Sequence, residues 1–155
     1  MSEYKAALRW QHTSGDFAAK TFSRDHTVTF PGGITIDASS APAFQGNPAF
    51  VNPEEAFVAS LASCHMLTFL AIAAFKGFAV EAYSDDAVGV LARNDDRTIA
   101  MTRVTLHPRV IFGGAKLPSE EDLRKLHESA HRKCFIANSV KTEVVVEPVD
   151  VPQAV

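Results

Sequence analysis

Two cysteines, Cys64 and Cys134, are the residues of this chain whose type and placement best suit covalent chemistry. Cys64 stands within an alanine-rich apolar run, and Cys134 ends a segment whose apolar residues recur at helical spacing. Two thiols whose Cα atoms approach to about 6 Å can form a disulfide. Free cysteines are also common as small buried hydrophobic residues, and the sequence leaves both interpretations open.

The histidines near the cysteines suggest two further chemistries. His127 and His131 are four residues apart and Cys134 follows one turn later, a set that could ligate zinc. No fourth ligand stands nearby, so an amphipathic helix with two histidines at its boundary is the preferred interpretation. His65 follows Cys64 directly, but consecutive helical residues point about 100° apart. We therefore expect His65 to be packed, or bonded to another element, and not to form a Cys–His dyad.

Hydrophobic periodicity and end signals predict the elements that must position these residues. An Asn-Pro-Glu-Glu start predicts a long helix from Pro53 to about Lys76. A second helix, capped by Ser119, ends at Cys134. Strands are predicted at residues 4–11, 26–30, 34–36, 79–92, 97–111 and 142–147, with a loop at 37–51. This order of elements predicts an α+β fold in a single domain, residues 1–155.

Composition and charge exclude several classes of protein. The chain has 155 residues, 46% hydrophobic and 21% charged, which excludes disordered and disulfide-stapled proteins. A net charge of −3 with scattered Lys and Arg argues against nucleic acid and against an anionic membrane as partners. Residues 56–75 lack charged side chains, but Ser, His and Thr interrupt them, so we predict a buried helix and no membrane span. The cysteine count and an N-terminus without signal-peptide order predict a cytoplasmic protein.

The long helix also carries an expectation about assembly. It is apolar on nearly every side, so it must be buried on nearly every side, along a length of about 33 Å. One 155-residue chain has few other elements with which to cover it. We therefore predict a homodimer with this helix at its centre.

The element order and two cysteine motifs resemble the OsmC/Ohr family, the osmotically inducible protein C and organic hydroperoxide resistance proteins. The motifs are Asn52-Pro53-Glu54 ten residues before Cys64, and Ala130-His131-x-x-Cys134-x-x-x-Asn138-Ser139 before a valine-rich last strand. The resemblance covers the chain from about Tyr4 to Val149. The residues that follow the cysteines, Phe135-Ile136-Ala137 and His65-Met66, depart from the hydroperoxide-resistance pattern and indicate a less characterised branch.

The resemblance implies an intertwined homodimer and a cysteine-based peroxidase that reduces organic hydroperoxides or hydrogen peroxide. It assigns Cys64 as the peroxidatic cysteine, Cys134 as the resolving cysteine and Glu54 as the acid that holds an N-terminal arginine. Arg24 is our choice for that arginine, with Arg9 as the alternative. No metal or organic cofactor is implied. The implied reductant is a dithiol such as dihydrolipoamide or a lipoylated protein.

Physical chemistry is compatible with these catalytic assignments and also with purely structural roles for the same residues. A buried cysteine needs a nearby cation to be a thiolate at neutral pH, and a glutamate can fix an arginine by a two-point bond. Glu54 would also stabilise a helix start without any catalytic duty, and Arg24 would serve equally as a solvated loop residue. An apolar lining for bulky peroxides is expected from Phe57, Leu61, Met66 or Phe135. The alternative function is a non-enzymatic member of the fold that binds a small ligand or senses redox state.

Overall fold

Within residues 1–149, which the computed structural model describes, strands, helix, strands, helix and strand follow one another, and this confirms the predicted α+β fold. The elements are β1 Ala7–Arg9, β2 His26–Thr29, β3 Thr35–Ala38, α1 Pro53–Phe75, β4 Ala79–Asp85, β5 Val88–Arg93, β6 Ile99–Leu106, β7 Pro108–Gly113, α2 Glu120–Lys133 and β8 Glu143–Val146. The chain divides into two compact units, Met1–Ala56 and the residues from Phe57 onward, so α1 contributes to both. The single domain over residues 1–155 stays a prediction.

The first unit carries an antiparallel sheet in the order β1-β2-β3. The two predicted strands of its hairpin are confirmed as β2 and β3. Strand β1 is shorter than the predicted 4–11, because its pairing with β2 ends at Arg9. Residues 37–51 are mostly loop, as predicted, although β3 runs to Ala38 and residues 42–44 form one 3-10 turn.

Helix α1 begins and ends where the sequence predicts. The side chain of Asn52 accepts a hydrogen bond from the N–H of Glu55 at 2.9 Å, and the Glu55 carboxylate accepts one from the Asn52 N–H at 3.2 Å. This reciprocal pair is a capping box. At the other end Gly77 has a φ of +77°, and the N–H of Phe78 donates to the carbonyl of Ala73 at 3.0 Å, as in a Schellman motif. Between these caps α1 is one continuous helix of 23 residues.

Only one stripe of α1 is buried in the single chain. Its buried residues recur every fourth position: Leu61, His65, Phe69 and Ala73. On other faces, Leu67 is 60% exposed and Phe75 is 92% exposed. Core residues of β7 and α2 cover one side of the helix, which agrees with the expectation that one chain has too few elements to cover α1. By length and composition alone, α1 is also apolar enough to cross a membrane. The homodimer stays a prediction.

Two long strands predicted for the second unit are each divided in the structure. The predicted strand 79–92 forms β4 and β5, and the predicted strand 97–111 forms β6 and β7. Strands β4 and β7 pair in one antiparallel sheet, while β5 and β6 pair antiparallel in another that β8 joins parallel to β6. At the division, Oδ1 of Asp85 accepts the N–H of His107 at 2.7 Å. The side chain of Asp85, and not a neighbouring strand, satisfies the backbone N–H of His107. The strand pairing changes at this point.

Helix α2 follows its predicted bounds within a residue. The Ser119 hydroxyl accepts the N–H of Asp122 at 3.1 Å, and the Asp122 carboxylate accepts the N–H of Ser119 at 3.1 Å. Acidic residues fill the first turn and basic residues the last, which complements the helix dipole. Its buried Leu126 and Ala130 belong to the same core cluster as Phe69 of α1. The predicted final strand is confirmed as β8.

Candidate functional site

The thiols of Cys64 and Cys134 lie next to each other within the second unit, close enough for Cys64 to raise the pKa of the Cys134 thiol. Cys64 is half-buried in the middle of α1, and Cys134, 1% exposed, is the C-cap residue of α2. Both cysteines are free. The sequence left open whether the two thiols meet, and in the structure they lie next to each other. Their roles in catalysis stay predictions.

Cys134 is held as a neutral thiol. Burial raises its pKa to about 11, and the hydrogen bond with Cys64 acts in the same direction. The N–H of Ala137, 3.4 Å from the sulfur, favours the thiolate but does not offset these effects. Thiolates, not thiols, attack electrophiles, so Cys134 is poorly suited to react first. The less buried Cys64 is the better candidate for the nucleophile.

Asn138 fixes the segment that follows Cys134. Its side-chain amide donates to the carbonyls of Arg132 at 2.9 Å and Cys134 at 3.0 Å, two carbonyls at the end of α2. The Ser139 hydroxyl donates to the carbonyl of Phe135 at 2.7 Å. The Asn-Ser pair of the second sequence motif therefore has a structural task. It closes the helix so that the sulfur of Cys134 faces inward.

A buried pair of histidines joins α1 to α2. His65 and His127 are 1% and 4% exposed, and Nε2 of His65 lies 3.1 Å from Nδ1 of His127. Burial lowers the pKa of each to about 4; the next contribution comes from His131 for His65, and from His65 for His127. Both rings are therefore neutral at pH 7, and one nitrogen of the contact donates to the other. The expectation that His65 is packed or bonded to another element is confirmed.

We expect the free energy of unfolding to fall as the pH drops from about 6.5 to 4. The unfolded chain binds protons on these histidines near pH 6.5, whereas the folded chain binds them only near pH 4. The stability that comes from keeping both rings neutral is therefore fully present above pH 6.5, and acid removes on the order of 3 kcal/mol for each histidine. Urea unfolding at pH 7.5, 6.0 and 5.0 measures the loss. The exposed-residue variant His12→Gln should match the wild type, and a flat profile would contradict neutral histidines.

Glu54 has an unsatisfied carboxylate oxygen. Its Oε2 is buried and has no hydrogen-bond partner among the residues that the structure describes. A buried carboxylate oxygen without a donor is costly, and native proteins rarely leave one unpaired. The predicted pairing of Glu54 with an arginine is not formed in this single chain. Glu54 therefore has the capacity to accept a donor from a partner copy or a substrate.

The guanidinium of Arg24 forms its hydrogen bonds within its own loop. Its guanidinium donates to the carbonyls of Phe22 and Lys20 and lies 4.5 Å from the centre of the Phe22 ring. The alternative, Arg9, lies on the exposed strand β1 and donates to the carbonyl of Leu8. Neither arginine forms an ion pair in the described part of the chain. Arg24 as the partner of Cys64 and Glu54 stays a prediction.

An aromatic pocket surrounds Arg24 in the first unit. Phe17 and Phe22 stack with ring centres 4.4 Å apart, and Trp10 meets Phe22 edge-on at 6.0 Å. The pocket encloses about 600 Å³ and is also lined by Leu8, His26 and Pro53. Sequence reasoning missed it, because its aromatic residues, Trp10, Phe17 and Phe22, come from turns and irregular segments without periodicity. The signal available was their concentration within residues 10–22.

The lining expected from the sequence is only partly available for substrate contact. Leu61 is fully buried in a core cluster with Val104 and Leu106, and Phe57 packs against that cluster. Both are therefore structural. Phe135 is 81% exposed directly beside Cys134 and remains free to contact a substrate.

The structure does not support a zinc site at His127, His131 and Cys134. Among residues 1–149, no three His, Cys, Asp or Glu side chains are grouped so that they could hold a metal ion. The sulfur of Cys134 contacts Cys64 and the N–H of Ala137, while Nδ1 of His127 is bonded to His65. The sulfur of Cys134 and Nδ1 of His127 are therefore engaged elsewhere.

A thiol in the middle of one long helix, in contact with a thiol that caps a second helix, defines an α+β protein with a paired-cysteine site. Residues 46–149 match the family of OsmC-like proteins, and the chain belongs to that family. No curated protein matches the sequence. The resemblance inferred from the two cysteine motifs is confirmed.

Solved structures support this membership. An OsmC-like protein of unknown function from Vibrio cholerae is 47% identical, with a TM-score of 0.92 over 96% of this chain and 100% of that one. The organic hydroperoxide resistance protein OhrB of Bacillus subtilis is 19% identical, with a TM-score of 0.68 over 96% of this chain and 98% of that one. An organic hydroperoxide resistance protein OsmC from Legionella pneumophila is 19% identical, with a TM-score of 0.67 over 96% and 97% of the two chains. The last two share the fold with this chain.

Proposed function

We propose that this protein is a thiol-dependent peroxidase that reduces organic hydroperoxides through Cys64 and Cys134. The observation that carries the proposal is the contact between two free thiols of unequal burial. Membership in a family that includes organic hydroperoxide resistance proteins supports the same chemistry. Each cysteine then has a separate task, set by its surroundings.

The first step takes place at Cys64. Its thiolate sulfur attacks one oxygen of the hydroperoxide, the O–O bond breaks, and the departing alkoxide takes up a proton to become an alcohol. Cys64 is left as a sulfenic acid. The raised pKa of Cys134 keeps the second thiol protonated and in reserve during this step.

The second step joins the two cysteines. The sulfur of Cys134 attacks the sulfur of Cys64, the S–O bond breaks, and the hydroxyl leaves as water with the proton of the Cys134 thiol. Because the thiols are already in contact, this condensation needs little rearrangement. An external dithiol then reduces the disulfide. Two free cysteines suit a reducing compartment, so we propose the cytoplasm as its location.

A second copy of the chain would complete the site. Apolar residues of α1 are exposed, and a homodimer that packs α1 against its counterpart would cover them. The first unit offers the unpaired Oε2 of Glu54 and the aromatic pocket that contains Arg24. We propose that this pocket of one protomer faces the cysteine pair of its partner. Its aromatic walls favour an organic hydroperoxide over hydrogen peroxide.

Steady-state consumption of cumene hydroperoxide with dihydrolipoamide as the reductant tests the proposal. We expect kcat/KM for cumene hydroperoxide to exceed that for hydrogen peroxide by about tenfold, since an apolar group buried on binding contributes about 1–3 kcal/mol. Protein alkylated at both cysteines is the control and should be inactive. Consumption no faster than that of the alkylated control would favour the non-enzymatic alternative, a ligand-binding or redox-sensing protein.

A further inference from the structure

A groove beside α2 has no part in the proposed cysteine chemistry. It encloses about 530 Å³, and its wall and floor residues are Leu123, His127, His131, Val144, Val146 and Pro148. An adjoining cavity of about 250 Å³ shares Leu123, His127 and Pro148 with it. Neither Cys64 nor Cys134 lines either space. The volume suits a small organic molecule.

One residue that lines the groove, His127, has an unsatisfied polar atom. His127 is 4% exposed, its Nδ1 is engaged by His65, and its Nε2 is buried without a partner among the described residues. A neutral imidazole has one N–H and one lone pair, so Nε2 donates or accepts according to the tautomer of the histidine pair. Nδ1 of His131, which also lines the groove, is likewise buried and unpartnered in the described part of the chain.

The charges around the groove disfavour an anion. Arg124, on the rim, is held by the carboxylates of Glu121 and Glu128, so its charge is compensated. Glu120 adds a further negative charge to the rim. The remaining walls are apolar, and burial keeps the pKa of His127 at about 4, so this histidine supplies no positive charge at pH 7. The groove therefore suits an uncharged molecule.

We propose that this groove binds a neutral, mainly apolar molecule whose hydroxyl or carbonyl group hydrogen-bonds Nε2 of His127. The apolar walls bury the body of the ligand. Nε2 of His127 has no hydrogen-bond partner among the described residues, so a ligand that carries one hydroxyl or carbonyl group is favoured. Alcohols formed from organic hydroperoxides belong to this class of ligand. The binding site does not depend on the peroxidase reaction, because no lining residue takes part in it.

Two probes that differ by one hydroxyl group test the site: 2-phenyl-2-propanol and cumene. We expect the wild-type protein to bind the alcohol about three- to tenfold more tightly than cumene, as one buried hydrogen bond contributes about 0.5–1.5 kcal/mol. Histidine ring ¹⁵N spectra should show the alcohol shifting the Nε2 signal of His127. Benzoate, as an anionic probe, should bind more weakly than the alcohol. No step requires peroxide, so failure of the peroxidase assay leaves this test intact.

A matched variant separates the ligand contact from the structural one. The amide of asparagine reaches about as far as Nδ1 of histidine, so His127→Asn retains a partner for His65 and loses the unpartnered Nε2. We expect the preference for the alcohol over cumene to disappear in this variant and to persist in His12→Asn, an exposed control. Equal affinities in the wild type, a retained preference in His127→Asn, or alcohol-induced shifts that omit His127 would overturn the proposal. Should His127→Asn fail to fold, the wild-type affinities and spectra decide alone.

Discussion

We expect Cys64→Ser to abolish peroxide consumption, and Cys134→Ser to allow a single turnover followed by arrest. Removing the sulfur of Cys64 removes the nucleophile, and we expect a loss of about three orders of magnitude or more in kcat. In Cys134→Ser the sulfenic acid still forms, but no thiol lies in contact to displace its hydroxyl. The two cysteines differ in role because the raised pKa of Cys134 keeps its thiol protonated. Rapid-mixing measurement of hydroperoxide loss distinguishes one equivalent consumed from none.

The two variants control each other because both replace sulfur with oxygen in the same contact. A sulfenic acid reagent such as dimedone should label Cys134→Ser after peroxide treatment and should not label Cys64→Ser. If Cys134→Ser kept full multiple-turnover activity with a dithiol, Cys134 would not be a required resolving cysteine. If Cys64→Ser kept its activity, the assignment of the nucleophile would be wrong.

Mixing two inactive variants, Cys64→Ser and Glu54→Ala, should restore activity once their subunits exchange. Helix α1 is continuous through both positions, so ten residues separate them by about 15 Å along its axis and about 80° around it. A glutamate side chain cannot cover that distance. A Glu54 that acts at the cysteine site must therefore come from the partner copy, and its unpaired Oε2 has the capacity to receive an arginine there.

The expected recovery is quantitative. In an equal mixture about half of the dimers combine one chain of each kind, and each of these holds one intact site, so activity should reach about a quarter of the wild-type value. Glu55→Ala is the matched control for Glu54→Ala, since Glu55 caps the same helix through Asn52 and should be dispensable for turnover. Absence of recovery, with heterodimers demonstrated by native mass spectrometry, would contradict sharing between subunits.

The ends of the helices could be predicted from sequence, because local chemistry determines them. Asn52 and Glu55 form their capping box between residues three apart, and Gly77 adopts its left-handed φ through properties of glycine alone. The division of the long strands could not be predicted. It depends on the contact of Asp85 with His107, which are distant in sequence. A pattern of alternating apolar and polar residues does not indicate which sheet a strand joins.

The candidate site could likewise be predicted from the sequence only in part. The sequence left open whether Cys64 and Cys134 meet, and the structure places them next to each other. The bond between His65 and His127 required knowing how α1 packs on α2, although His65 stands on the every-fourth-residue stripe that includes Phe69. The faces of α1 that one chain leaves exposed could not be identified from the sequence, because apolar composition does not tell whether cover comes from the same chain or from another.

The central claim is that Cys64 and Cys134 act as one redox pair, and one equivalent of cumene hydroperoxide tests it most directly. Intact-mass spectrometry of the treated wild-type protein should show the loss of two hydrogens, and digestion should yield a peptide that links Cys64 to Cys134. The thiol contact in the reduced protein is the reason to expect this linkage within one chain. Two thiols that remain free after the peroxide is added, or oxidation that yields only cross-links between chains or sulfinic acid, would contradict the account.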